Sequence, residues 1–170
     1  QGFWIYGAAA GKLFEFREDD KVSSKSSAFL RQKQVEPYFN LNISNNKNPF
    51  KHKMRLAFDV FATEEMDERD ARHLPSPIKD APAIYSKAVN SEDELIVNSL
   101  NPTEESQLVP VSIYAGVEGE YEINADNLDA LYENYSCMYL KDEETEKAID
   151  LMVEPKYSFE AKQGKSDRFH

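Results

Sequence analysis

Hydrophobic residues fall at every second position along most of this chain. Phe39, Leu41 and Ile43 alternate with Asn40 and Asn42, and Met54, Leu56, Phe58 and Val60 alternate with Arg55, Ala57 and Asp59. The same period recurs at Val109, Val111 and Ile113, at Tyr121, Ile123 and Ala125, and at Met138 and Leu140. It returns at Ile149 and Leu151 and at Tyr157, Phe159 and Ala161. Side chains two apart on a strand share a face, so each run predicts a half-buried antiparallel strand. Together they predict an all-β fold, an antiparallel β-sandwich of jelly-roll-like form. Upstream, Phe3-Trp4-Ile5-Tyr6 and Leu13-Phe14-Glu15-Phe16 read as two strands joined by a small-residue turn. Leu95-Ile96-Val97 reads as a short strand buried on both faces.

The turn residues refine this picture. Asn45-Asn46-Lys47-Asn48-Pro49 offers positive φ followed by a fixed φ, and Glu118-Gly119 and Gln163-Gly164 read as hairpin tips. Pro110 interrupts Val109–Ile113, which places it at a sheet edge or a bulge. Asp126 is positioned to cap a helical turn over Asn127–Tyr132, with Leu128 and Leu131 facing inward. Ser23-Ser24-Lys25-Ser26-Ser27 is a polar low-complexity loop. Residues 63–82 lose the period of two and hold Pro75, Pro77 and Pro82 among crowded charges, so they predict a long irregular excursion with room for one helical turn. The expected organisation is one domain over residues 1–170; two stacked β-modules, 1–90 and 91–170, are the alternative. Gln1 at one end and Asp167-Arg168-Phe169-His170 at the other read as cuts in a longer protein.

Charge and composition narrow the function classes. The chain has 20 Lys+Arg against 31 Asp+Glu, a formal net charge of −11. A polyanion is repelled by that balance, so no nucleic-acid partner is expected. A hydrophobic share of 41% with 12% aromatic residues is too rich for a disordered acidic tail. No run approaches the roughly 18 consecutive apolar residues of a membrane span, and membrane insertion is not expected. The single Cys137 excludes an internal disulfide, and with no Lys, Arg or His beside it reads as a buried, inert thiol.

Candidate chemistry is sparse. His52, His73 and His170 share no metal-ligand spacing. Asp67 and Asp70, in the cluster Asp67-Glu68-Arg69-Asp70, offer hard oxygen ligands suited to Ca²⁺, the one cofactor that the residues bring into view. Local ion pairing through Arg69 is the competing reading. Trp4 and Tyr6 share one face of their strand and could stack on a sugar, although aromatic residues in a sandwich mostly cover its core. No phosphate loop and no nucleophile motif is present in the sequence.

A family resemblance enters through the last third. Val109-Pro110-Val111-Ser112-Ile113, Gly119-Glu120-Tyr121-Glu122-Ile123, Met138-Tyr139-Leu140-Lys141-Asp142, Ile149-Asp150-Leu151, Tyr157-Ser158-Phe159 and Asp167-Arg168-Phe169 follow one another in that order. The series resembles the surface β-domains that precede the C-terminal sorting signal in type IX secretion system cargo proteins of Bacteroidota. Gly2-Phe3-Trp4-Ile5, Arg31-Gln32, Asp70-Ala71, Leu74, Pro82 and Ile84-Tyr85-Ser86 are similar to the front of the same region. The resemblance implies a non-catalytic extracellular structural or interaction module of a secreted or cell-surface bacterial protein, with an adhesive role open to it. Its partners would be other domains of the same large protein, with the secretion machinery or surface proteins as further candidates. The family pattern runs past Arg168-Phe169 into a closing strand, a pattern from which His170 departs. The alternative function is a carbohydrate-binding module of a secreted polysaccharide-degrading enzyme.

Overall fold

The alternation at Phe39–Ile43 and Met54–Phe58 builds the first hairpin. Strands β1 (Tyr38–Asn45) and β2 (Lys51–Phe58) pair antiparallel, with Phe39 opposite Leu56 and Leu41 opposite Met54. All four side chains are buried, as the period of two requires. The turn is held by the Asn45 side chain, whose Oδ1 accepts the Lys47 and Asn48 amides at 2.8 and 3.0 Å. Asn45 therefore acts as an acceptor, and none of residues 45–48 has positive φ.

The computed structural model describes residues 37–88, 91–102, 107–132 and 135–170, within a unit spanning Val35–His170. The expected strands around Trp4 and Tyr6 and the Ser23–Ser27 loop lie outside the described residues. Further strands are β3 (Ala71–Arg72), β4 (Ala83–Lys87), β5 (Glu94–Leu100), β6 (Val111–Ala115) and β7 (Gly119–Asp126). After them come β8 (Tyr139–Asp142), β9 (Lys147–Asp150), β10 (Lys156–Ala161) and β11 (Gly164–Phe169). The fold is all-β, and the one helical element among the described residues is the 3-10 turn Leu128–Leu131. Residues 63–82 contribute only β3 and are otherwise irregular.

The strands form one sheet in the order β10-β7-β1-β2-β5-β4-β6-β11-β8-β9, with β3 laid against β5. This sheet curls until it is barrel-like and nearly closed. Where its arms meet, the Tyr157 and Phe159 rings of β10 pack on Phe169 of β11, with centroids 6.3 and 4.9 Å apart. One junction departs from the expected antiparallel pattern: β2 and β5 are parallel. The reason is topological. The 59–82 excursion sets β4 antiparallel to β2 but one strand away, and β5 reverses again to fill the gap, restoring the direction of β2.

Several local expectations change in the structure. The chain leaves the sheet after Phe58, so Val60 is 56% exposed in a turn instead of continuing the buried face. Pro110 lies just before β6, an interior strand, and its carbonyl accepts the Lys87 amide at 3.1 Å. β5 buries Leu95 but leaves Ile96 and Val97 half-buried. Asp126 does not cap the 3-10 turn; it binds the Asn40 and Asn42 side chains of β1, and Asn127 enters the turn with φ 63°. Leu128 and Leu131 do face inward.

Gly119 and Gly164 are not hairpin tips. Each opens a strand after an arch, because β6 and β7, like β10 and β11, pair with different neighbours. The two arches are tied together: Gln163 Nε2 donates to the Gly116 carbonyl at 2.8 Å. Tyr121 pins the first arch, its hydroxyl donating to the Val117 carbonyl at 2.6 Å and accepting the Val117 amide at 3.2 Å. Gly116 sits so close to the excursion that a Cβ there would lie 2.2 Å from the Asp80 carbonyl carbon. Gly116→Ala must therefore push main chain from main chain, and we expect it to cost about 1–3 kcal/mol in urea unfolding. At Gly164 an added Cβ meets no atom within 4 Å, but φ is +129°. Gly164→Ala should thus carry only a backbone-strain cost, about 1–3 kcal/mol. Because Gly164 pairs with Ala115 and Gln163 bonds the Gly116 carbonyl, the double substitution should depart from additivity, which the same unfolding curves check.

Candidate functional site

The acidic cluster resolves into a turn. Asp67 Oδ1 accepts the Arg69 amide at 2.7 Å, and its Oδ2 faces the Thr63 amide at 3.3 Å. Asp70 Oδ2 accepts the Asp67 amide at 2.9 Å and its Oδ1 the Ser99 amide at 2.8 Å. Arg69 pairs with Asp59 at 2.7 Å and reaches Asp67 and Glu68. The oxygens proposed for Ca²⁺ are thus directed at main-chain N–H groups, and Arg69 takes the ion-pairing role. Among the described residues no group of three or more His, Cys, Asp or Glu side chains is gathered as metal ligands. Trp4 and Tyr6 lie outside the described residues.

Cys137 is exposed, not buried, because β8 begins only at Tyr139 and the cysteine precedes it in a loop. It lines a cavity of about 620 Å³ bounded by Phe39, Phe58, Val111, Tyr139 and Leu151. The wall of this cavity is largely apolar, with Tyr135, Tyr139, Lys141 and His170 also lining it.

Two polar clusters stand out instead. The first is built from motif residues. The β8–β9 hairpin turns on Asp142, whose Oδ1 accepts the Glu144 amide at 3.0 Å and whose Oδ2 accepts the Thr145 hydroxyl at 3.0 Å. The same carboxylate receives Arg168 Nε at 2.8 Å, Arg168 Nη2, and the Tyr157 hydroxyl at 2.7 Å. Arg168 spends its remaining donors on Glu144, at 2.5 Å, and on the Glu160 carbonyl, at 3.1 Å. Its guanidinium lies 5.0 Å from the Phe159 ring centre and 5.2 Å from that of Phe169. Asp142 is fully buried and Arg168 nearly so. A register shift between Ser166 and Phe169 lets the consecutive Arg168 and Phe169 both be buried. Burial alone would raise the Asp142 pKa. Arg168, Tyr157, Thr145 and the Glu144 amide more than offset that and hold it at about 2.

The second cluster fills a gap between strands. β2 and β4 are bridged by β5 only beyond Arg55 and Ser86, so Lys51–Met54 faces Ala83 and Ile84 with no strand between. His52 crosses this seam, its Nδ1 accepting the Ile84 amide at 3.2 Å. His73, just after β3, stacks on Tyr85 at 4.5 Å and meets the His52 ring edge-on at 5.3 Å. Its Nδ1 donates to Glu94 at 3.3 Å, while its Nε2 is buried with no hydrogen-bond partner. Glu94 also holds Lys165 at 2.8 Å. Burial and the neighbouring His73 lower the His52 pKa. Burial would raise the Glu94 pKa, but Lys165 and His73 bring it below the usual carboxylate range.

The sequence carries Asp142 and Arg168 in separate motifs with nothing in their spacing to pair them, and its three histidines share no metal-ligand spacing. A usable signal existed for His52: it falls on the buried face of its strand, in phase with Met54, Leu56 and Phe58. His73, 21 residues away, has no such periodic marker.

The depressed Asp142 pKa fixes a pH dependence. Its contribution is complete above the unfolded value near 4 and is lost as pH falls toward about 2. Urea unfolding should therefore show about 2 kcal/mol of stability disappearing in that window. Asp142→Asn should abolish that step and cost about 3–5 kcal/mol at neutral pH, because Arg168 is left buried without its counter-charge. Asp142→Leu combined with Arg168→Met should recover most of the loss.

The comparisons with known proteins are brief. No curated protein matches the chain, and no solved structure does. A family model matches over residues 1–170, and the chain belongs to that family, the Domain of unknown function (DUF8693).

Proposed function

We propose that this chain is a non-catalytic structural or interaction module of a secreted or cell-surface bacterial protein, exported by the type IX secretion system of Bacteroidota. One observation supports the reading above others. The motif residues Tyr121, Leu140, Asp142, Tyr157, Phe159, Arg168 and Phe169 are all buried, and the two charged ones neutralise each other inside. Residues spent in this way specify a fold and leave the outer surface free for contact. Three further residues of the series, Val111, Ile113 and Ile123, belong to the same core.

On this reading the curled sheet is two facing layers in jelly-roll-like order, with the β6–β7 and β10–β11 arches crossing between them. The net charge of −11 keeps such a module soluble outside the cell. Its partners are neighbouring domains of the same protein, and it needs no cofactor.

Protease shaving tests the location. In a Bacteroidota host, intact cells carrying the full parent protein should lose this chain to external protease. Disabling the outer-membrane translocon should retain it in the periplasm. Recovery from the cytoplasm in both strains would overturn the export reading. A glycan array on the full 170-residue chain tests the module class. Saturable polysaccharide binding, lost on Trp4→Ala or Tyr6→Ala, would favour a carbohydrate-binding module instead.

A further inference from the structure

We propose that the His52–His73 seam is an acid-triggered latch: protonation of His52 withdraws the lone pair that holds the Ile84 amide, and the β2–β4 junction opens there. The geometry leaves this bond no substitute. Ile84 is fully buried, and its N–H faces the stretch where no strand lies between β2 and β4. A buried donor that loses its acceptor costs far more than an exposed one. A protonated imidazole carries N–H at both ring nitrogens, so Nδ1 cannot accept while His52 is charged.

The surroundings oppose a charge at His52, and among the described residues no carboxylate pairs with it. Across β1 its register partner is Ile43, which is apolar. From β4 it meets the Ile84 main chain, followed in sequence by Tyr85. From the segment after β3 it meets the His73 ring. Beyond His73 stand Glu94 of β5 and Lys165 of β11, already paired with each other. Glu94 is thus engaged by His73 Nδ1 and by Lys165. The buried, unpartnered Nε2 of His73 marks this as the one imidazole pair in the described residues with an unsatisfied polar atom. A charge on His52 would therefore sit edge-on to the His73 ring, with Glu94 already engaged by His73 and Lys165.

The sign of the effect follows from the lowered pKa of His52. The latch is fully closed above the ordinary imidazole value near 6.5 and opens as pH falls below it. Opening is local: the β1–β2 and β4–β6 ladders flank the seam and remain paired, and β3 stays held to β5.

Hydrogen exchange on the full 170-residue chain tests the proposal. After correction for intrinsic rates, protection of the Ile84 amide should fall at least tenfold between pH 7.5 and pH 5. Ile123 in β7 should stay constant over the same range. His52→Asn places an amide oxygen where Nδ1 stood and does not titrate, so Ile84 protection should become independent of pH. Persistence of the pH-dependent loss in that variant would overturn the latch. Because the variant could also misfold, the unmodified chain supplies a second reading. The ¹⁵N shifts of the His52 ring and the Ile84 amide should titrate with one midpoint, and different midpoints would equally refute it.

Discussion

The buried contact between Arg168 and Asp142 is the constraint on which this architecture turns. A sheet that curls without a closing ladder leaves its arms joined only by side chains. Here β10, β11 and the β8–β9 hairpin meet at one carboxylate and one guanidinium. Removing either charge from water is expensive, and the attraction between them repays it only when the remaining donors and acceptors are also occupied. That condition is met. Asp142 accepts from Arg168, Tyr157, Thr145 and Glu144, and Arg168 also reaches Glu144 and Glu160. The cluster fixes which strand meets which, a specification that an apolar contact of equal volume would make less sharply.

What the sequence made legible follows from this division of labour. Strands with one wet and one dry face, β1, β2, β7 and β10, carry a period of two that any reader of the chain can find. β4 and β11 do not. β4 buries Ala83 through Ser86 without alternation because Ile84 enters the core while His73 stacks on Tyr85 on the other face. β11, Gly164–Phe169, is polar until its last residue and is a strand because β6 and β8 offer it ladders. Gly119 and Gly164 carry the composition of hairpin tips, yet pairing partners are set by the global order of the sheet, to which two-residue turn chemistry is blind.

The candidate clusters show the same split. The contacts of Asp142 to Glu144 and Thr145 lie within its own turn. Arg168 is 26 residues distant, and only topology brings it there. Cys137 illustrates the opposite error: proximity to the apolar Met138 and Leu140 implied burial, but the strand starts two residues too late to turn the thiol inward.

Set side by side, the two polar clusters differ in one physical respect that decides what each can do. The Asp142 carboxylate is met by five donor atoms from four residues, so its charge is permanent over the range in which proteins live. Such saturation makes a fixed joint. His52 holds a single amide through a single lone pair, beside a second imidazole whose outer nitrogen has no partner. An under-coordinated base has two protonation states that differ in the bonds they permit, whereas a saturated ion pair has one. Permanence and responsiveness are therefore separated within one sheet by how completely each buried polar atom is matched.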